Sequence, residues 1–249
     1  MSGAKRKDEK IRLDLLLVKR GLAESREKAR AVIMAGRVAV EGRPVDKPGR
    51  AVATDAAIDV EQGPAYVSRG GLKLAAAMER FAIRVEGLNI LDVGASTGGF
   101  TDCLLQRGAR RVVALDVGYG QLAWKLRQDP RVKVVERTNI RHVAPGTFPG
   151  PLHGAVADVS FISLKLVLPP VSRLLEEKAF IVVLIKPQFE VGKGRVGKGG
   201  VVRDPRLHQA VVEDICIHSK SLGWKVEGHM PSPILGPKGN REFLLYLKR

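Results

Sequence analysis

The stretch "NILDVGASTGGFT", Asn89 to Thr101, decides the fold. Its first half is an apolar run of strand length, and its second half is a glycine-rich turn leading into a helix start. That order places a ligand at the carboxyl end of a sheet strand, where free backbone N–H groups of the helix N-terminus face it. Asp92 closes the strand in this reading. Gly94, Gly98 and Gly99 let the backbone approach a ligand closely, with Ala95, Ser96 and Phe100 beside them. Gly94-x-Ser96-x-x-Gly99 departs from G-x-G-x-x-G, so the turn alone does not identify the ligand.

Working outward, strands and helices alternate. "GGFTDCLLQRG" reads as a helix ended at Gly108, "RVVALDVG" as the second strand, "QLAWKLRQD" as a helix and "VKVVE" as the third strand. "GAVADVS" follows as the fourth strand. "SLKLVLPPVSRLLEE" reads as a helix that Pro169-Pro170 must kink or split. "FIVVLI" is the fifth strand, and "DPRLHQAVVEDICIHSKSLGW" a long helix capped by Asp204 with Pro205 at its first position. "KVEGHM" and "EFLLYLKR" close the chain as strands. Alternation of this kind predicts a mostly parallel sheet covered on both faces.

The tips of such strands share one crevice. Asp116 at the second tip suits a ribose diol, and Asn139 and Asp158 are expected to end the next two strands. A carboxylate at Asp92, directly before the glycine turn, suits the methionine amino group of S-adenosylmethionine better than a pyrophosphate. That favours a methyltransferase, with a nicotinamide-dependent enzyme on a similar sheet as the competing reading.

The N-terminal part is different in kind. Residues 1–10 form a charged tail. In residues 11–61, Leu13, Leu16 and Leu17 mark a short amphipathic helix, and Ser25 precedes a second helix stopped at Gly36. "RVAVEGRPV" then reads as a strand with a tight turn at Glu41-Gly42. Residues 1–50 hold 14 Lys/Arg against 7 Asp/Glu, and the whole chain of 249 residues carries a formal net charge of +16. A basic excess of this size concerns partners, and a nucleic-acid polyanion is the first candidate. Arg12, Arg26, Lys28, Arg30 and Arg37 are the expected contacts. "RLDLLLVKRGLAESREKARAVIMAGRVAVEGRPV" resembles the small RNA-binding module of ribosomal protein S-four type. Residues 62–68 read as a linker and 69–249 as the sheet domain.

Other classes fare less well. No apolar run approaches the ~20 residues that span a bilayer, and no apolar segment follows the basic start as in a signal peptide. Cys103 and Cys216 lack metal-ligand or disulfide spacing, and the scattered histidines add none, so no metal is expected. The chain reads as cytoplasmic, with no stable membrane association, and the sequence sets no oligomeric state.

"FIVVLIK" ends on Lys186, a cation at the mouth of a core strand, where burial is costly unless it is paired. Asp158 ends the fourth strand, Glu242 opens the last, and Lys73 lies in the otherwise apolar helix "GGLKLAAAM". Converging charges of both signs offset one another's burial. Desolvation beside a second ammonium favours a neutral amine, the form that can take a proton from a ribose 2′-hydroxyl. The glycine-rich loop "EVGKGRVGKGGVVRD" adds Lys193, Arg195 and Lys198 as a basic flap for an RNA backbone.

"GASTGGFTDCLLQRGARRVVALDVGYGQLAWKLRQDPRV", "ERTNIR", "ADVSFISL", "KPQFEVGKGRVGKGGVVRDP" and "SPILGPKGNREF" together resemble the hemolysin A (TlyA) family. The resemblance covers nearly the whole chain after the first ten residues. It implies an α/β fold: a Rossmann-like class I methyltransferase sheet, mostly parallel and FtsJ-like, behind a small N-terminal α+β RNA-binding domain. It also implies S-adenosylmethionine-dependent 2′-O-ribose methylation of cytidine in the rRNA of ribosomal subunits. The family's Lys-Asp-Lys-Glu tetrad falls on Lys73, Asp158, Lys186 and Glu242. A non-catalytic RNA-binding or pore-forming protein is the remaining alternative, and such a protein has no use for the tetrad.

Overall fold

A computed structural model describes residues 9–61, 63–192 and 194–249. The chain divides into two compact units, Met1–Ala65 and Tyr66–Arg249.

In the first unit, β1 (Lys10–Arg12) leads directly into α1 (Leu13–Lys19), and α2 (Arg26–Met34) follows. The Ser25 side chain caps α2 by accepting the Lys28 N–H at 3.2 Å, which satisfies one of the donors left free at a helix start. Then come β2 (Val38–Val40), β3 (Arg43–Pro44), β4 (Ala51–Ala53) and β5 (Ile58–Val60). Glu41 and Gly42 both take positive φ, +50° and +70°, as a two-residue hairpin turn demands. The strands form a three-stranded sheet in the order β3-β2-β5 and a β1-β4 pair, of which sequence reading found only the β2–β3 hairpin. Leu13, Leu16, Leu17, Ala29, Ile33 and Val38 make the core between helices and sheet.

The second unit opens with α3 (Gly70–Arg80) and continues through β6 (Asn89–Val93), α4 (Gly99–Gln106), β7 (Arg111–Leu115), α5 (Trp124–Arg127) and β8 (Val132–Val135). After these come β9 (Gly154–Ala157), α6 (Leu164–Leu174), β10 (Phe180–Ile185), α7 (Pro187–Glu190), α8 (Pro205–Ser221), β11 (Lys225–Pro231) and β12 (Phe243–Lys248). The seven strands run in the order β11-β12-β10-β9-β6-β7-β8. The five from β10 to β8 are parallel, and β12 is antiparallel to both its neighbours. All residues of β6, β9 and β10 are buried, as strands covered on both faces must be. Two apolar clusters flank the sheet, one around Leu91, Ile181 and Trp224, the other around Leu74, Phe100 and Leu104.

Three local expectations are corrected. "QLAWKLRQD" is helical only over Trp124–Arg127, because the Ala123 N–H donates to the Thr97 carbonyl and holds Ala123 out of the helical conformation, at ψ 138°. Asn139 does not end a strand. β8 stops at Val135, and Asn139 caps a single 3-10 turn, Ile140–His142, its side chain accepting the Arg141 N–H. The helix α6 runs unbroken through Pro169 and Pro170. The carbonyls that lose their donors, those of Lys165 and Leu166, lie in its partly exposed first turns, where water can serve them.

Candidate active site

At the carboxyl end of the parallel strands two cavities adjoin, of about 1080 and 390 Å³, sharing Gly94, Ser96, Asp158 and Ser160 in their walls. The glycine turn supplies much of that shared wall. Gly94 sits at φ +80°, and a Cβ there would lie 2.7 Å from the Asp158 carbonyl oxygen. Only glycine keeps the turn this close to β9 and leaves the crevice open.

The other two glycines serve packing. A Cβ on Gly98 would meet the Leu126 and Leu122 side chains at 2.2 and 2.8 Å, and one on Gly99 would meet the Ser68 hydroxyl at 2.3 Å. Gly98 therefore faces the apolar core rather than a ligand, while Gly99, Ala95 and Phe100 line the smaller cavity. Asp92 also departs from expectation. It is fully buried beneath the turn, lines neither cavity, and accepts the Thr101 hydroxyl at 2.6 Å. Burial pushes its carboxyl up to about 7. Its strand position is interior, with Val93 following, which turns the side chain inward.

Asp116 and Asn139 line the larger cavity. Asp116 accepts the Ser96 N–H at 2.8 Å and the Gly118 N–H at 2.7 Å, so it ties the tip of β7 to the glycine turn. Each carboxylate oxygen keeps a second lone pair for a ligand hydroxyl. A cradle kept open by a glycine, an acidic side chain at the second strand tip and a large cleft fit the donors and acceptors of S-adenosylmethionine.

Lys73, Asp158, Lys186 and Glu242 all line the smaller cavity. Lys186 Nζ lies 2.6 Å from Asp158 Oδ1 and donates to Ser160 Oγ at 2.9 Å. Lys73 Nζ donates to Glu242 Oε2 at 2.5 Å. Lys73, Lys186 and Glu242 are only 7%, 8% and 2% exposed. The topology explains the convergence: β9, β10 and β12 are neighbours, and Asp158, Lys186 and Glu242 stand at the same end of them, while α3 brings Lys73 over the edge. Two ammonium–carboxylate pairs in one cavity satisfy the burial argument that Lys186 raised. Glu242 Oε1 is buried with no hydrogen-bond partner among the described residues.

Some site residues carried no signal along the chain. Ser160 is one, and its only mark was its place two residues after Asp158. Phe161 is another, 90% exposed at φ +63°, lining the larger cavity with its ring 5.0 Å from that of Phe189.

The expected RNA contacts divide. Arg12 and Arg26 both hold the fully buried Asp14, at 2.9 and 3.1 Å, so part of their donor capacity is spent within the module. Lys28 pairs with the exposed Glu24. Arg30 is exposed beside Arg26 in a shallow pocket, and Arg37 is half-buried. Arg195 and Lys198 are exposed on the glycine-rich loop, whereas Lys193 lies outside the described residues. Among the described residues no His, Cys, Asp and Glu group could hold a metal ion, and no helix is long and apolar enough to cross a membrane.

Comparison with known proteins gives a consistent picture. Residues 66–249 match the FtsJ-like methyltransferase family, and residues 11–58 match the S4 domain. The chain is 52% identical, over 96% of its own length and 90% of the relative's, to the 16S/23S rRNA (cytidine-2′-O)-methyltransferase TlyA of Mycobacterium tuberculosis. It is 43% identical to hemolysin A of Brachyspira hyodysenteriae, over 95% and 99% of the two lengths. A solved structure from Streptococcus thermophilus, provisionally named as a hemolysin, superposes with a TM-score of 0.73 at 44% identity. It covers 97% of this chain, which covers 89% of it.

Proposed function

The chain belongs to the FtsJ-like methyltransferase family, and from that premise we propose how its own residues carry out the reaction. It is an S-adenosylmethionine-dependent rRNA (cytidine-2′-O)-methyltransferase with an N-terminal S4 domain. The observation that carries the mechanism is the presence of Lys73, Asp158, Lys186 and Glu242 around one cavity that opens into the glycine-lined cleft.

In this reading Gly94, Ser96 and Asp116 would hold the cofactor, which would supply an activated methyl carbon. Asp158, in the wall common to both cavities, faces cofactor and ribose alike. Lys186, once its own proton has passed to solvent, would accept the proton of the 2′-hydroxyl as that oxygen takes the methyl group and S-adenosylhomocysteine departs. Asp158 and Ser160 then hold the ammonium that forms, at the distances they already keep. The Lys73–Glu242 pair places a second positive charge beside the developing alkoxide. Phe161 offers an exposed aromatic face, which suits an unstacked base. Holding the 2′-hydroxyl within reach of the methyl carbon would supply much of the acceleration.

The basic helices of the first unit and the loop cations Arg195 and Lys198 would supply affinity for the rRNA backbone. We also place the enzyme in the cytoplasm, without stable membrane association, where ribosomal substrate is found. Ribose-methylation mapping of rRNA, from cells with and without the protein, tests the reading. A cytidine 2′-O-methyl group present only with the wild-type chain is the expected result. Identical maps would refute it.

A further inference from the structure

Asn240 lies two residues before Glu242 and is only 3% exposed, so its carboxamide must find partners within the protein. It finds three. Its Oδ1 accepts the Val202 N–H at 3.1 Å, and its Nδ2 donates to the carbonyls of Gly200 and Pro237 at 3.0 and 3.1 Å. Gly200 and Val202 belong to the returning arm of the glycine-rich loop that carries Arg195 and Lys198. Val202 is held on its other side too, its carbonyl 2.8 Å from the ring of the buried His208. The loop is therefore fastened at its foot, and the fastener belongs to the turn that delivers Glu242.

That turn is itself tight around the carboxylate. The Gly236 N–H donates to the Asn240 carbonyl at 2.9 Å, and the Ser232 N–H donates to the Glu242 carbonyl at 2.8 Å. A Cβ on Gly236 would lie 2.1 Å from Glu242 Oε1. A shift of Asn240 would accordingly move Glu242 and its partner Lys73.

We propose that Asn240 is a positioning residue that joins the basic loop to the tetrad. Contact between the loop cations and RNA phosphates then holds Glu242, and through it Lys73, in the geometry of methyl transfer. The inference rests on the function proposed above. It adds that backbone recognition by this loop raises turnover as well as affinity.

The test is a set of variants assayed on ribosomal substrate, with S-adenosylmethionine binding measured by calorimetry on each. Asn240→Ala should lower kcat about tenfold to a hundredfold, the scale of a small misplacement of reacting groups. Cofactor affinity should change less than about threefold, since the loss falls on the transition state. Replacing Arg195 and Lys198 by alanine should lower kcat in the wild-type background, yet lower it no further when Asn240 is already alanine. Asn240→Asp keeps the acceptor for Val202 but loses both donations, and should show the same loss of kcat, so it serves as the readout if the alanine variant folds poorly. An unchanged kcat, or effects on kcat that simply multiply, would overturn the coupling. If neither variant binds cofactor, the residue is only structural and the proposal fails. Inactivity of the wild-type chain would instead sink the function proposed above.

Discussion

Lys186 is held by two oxygens, those of Asp158 and Ser160, and the second is dispensable for charge balance but not for aim. Ser160→Ala should lower kcat by about tenfold to a hundredfold, the value of one hydrogen bond to a charged group, with cofactor affinity retained. Steady-state methylation beside calorimetry separates the two. Gly94→Ala should instead weaken cofactor binding tenfold or more, about 1.4 kcal/mol, since the added carbon meets the Asp158 carbonyl at a positive φ. Calorimetry with S-adenosylmethionine measures it. Asp92 gives a pH signature. Burial raises its carboxyl in the folded protein to about 7, so folding favours the protonated form. Its contribution to stability is full below the unfolded value of about 4 and is lost as pH rises toward 7. Asp92→Asn should therefore stabilise the cofactor-free protein at pH 8 and make little difference at pH 4, as read by thermal melting.

At the scale of elements, the α1–α2 pair depends on a charge in its core. Asp14 is fully buried, and the Arg12 guanidinium beside it, aided by Arg26, holds its carboxyl down at about 2. A depressed value means stability present above the unfolded range and lost as pH falls from about 4 to about 2. Asp14→Asn should destabilise these helices by about 1–3 kcal/mol at pH 7, since it removes the negative charge and leaves two guanidinium groups to share one neutral oxygen. Hydrogen exchange at the amides of α1 would report it. Most elements were legible because burial on both sheet faces leaves apolar runs, and because Ser25 and Asp204 mark their helices by capping. Most of the misreadings share a cause. At Ala123 and the strands β1, β4 and β5, partners distant in sequence decide the backbone, and no local periodicity records them, whereas Asn139 was misread although its cap on Arg141 is local.

For the whole molecule, the net charge of +16 predicts strongly salt-dependent rRNA affinity. Deleting residues 1–60 should abolish rRNA methylation while cofactor binding stays near wild type, a division that calorimetry and methyl-transfer assays on the truncated chain would resolve. The tetrad could be read from the sequence because adjacent strands bring their ends together. Alternation of strands and helices predicts one sheet whose tips share a crevice, but the antiparallel insertion of β12 beside β10, which brings Glu242 near Lys186, was expected only from the family resemblance. Asn240 and Ser160 were not legible, since each acts through a loop contact that follows no repeat. Asp92 was placed on the cavity from its rank in the motif, but its inward-facing strand position puts it underneath.

The role proposed for Lys186 is to move a proton rather than only to supply charge. Lys186→Arg keeps the cation but cannot give up its proton near neutral pH. Single-turnover methylation of ribosomal substrate by this variant, with cofactor bound, is the most direct measurement. A rate at least ~100-fold below wild type is expected, in the range attributed to general-base catalysis, with S-adenosylmethionine affinity unchanged. A rate close to wild type would contradict it, and the 2′-hydroxyl proton would then have to leave by another group or by water.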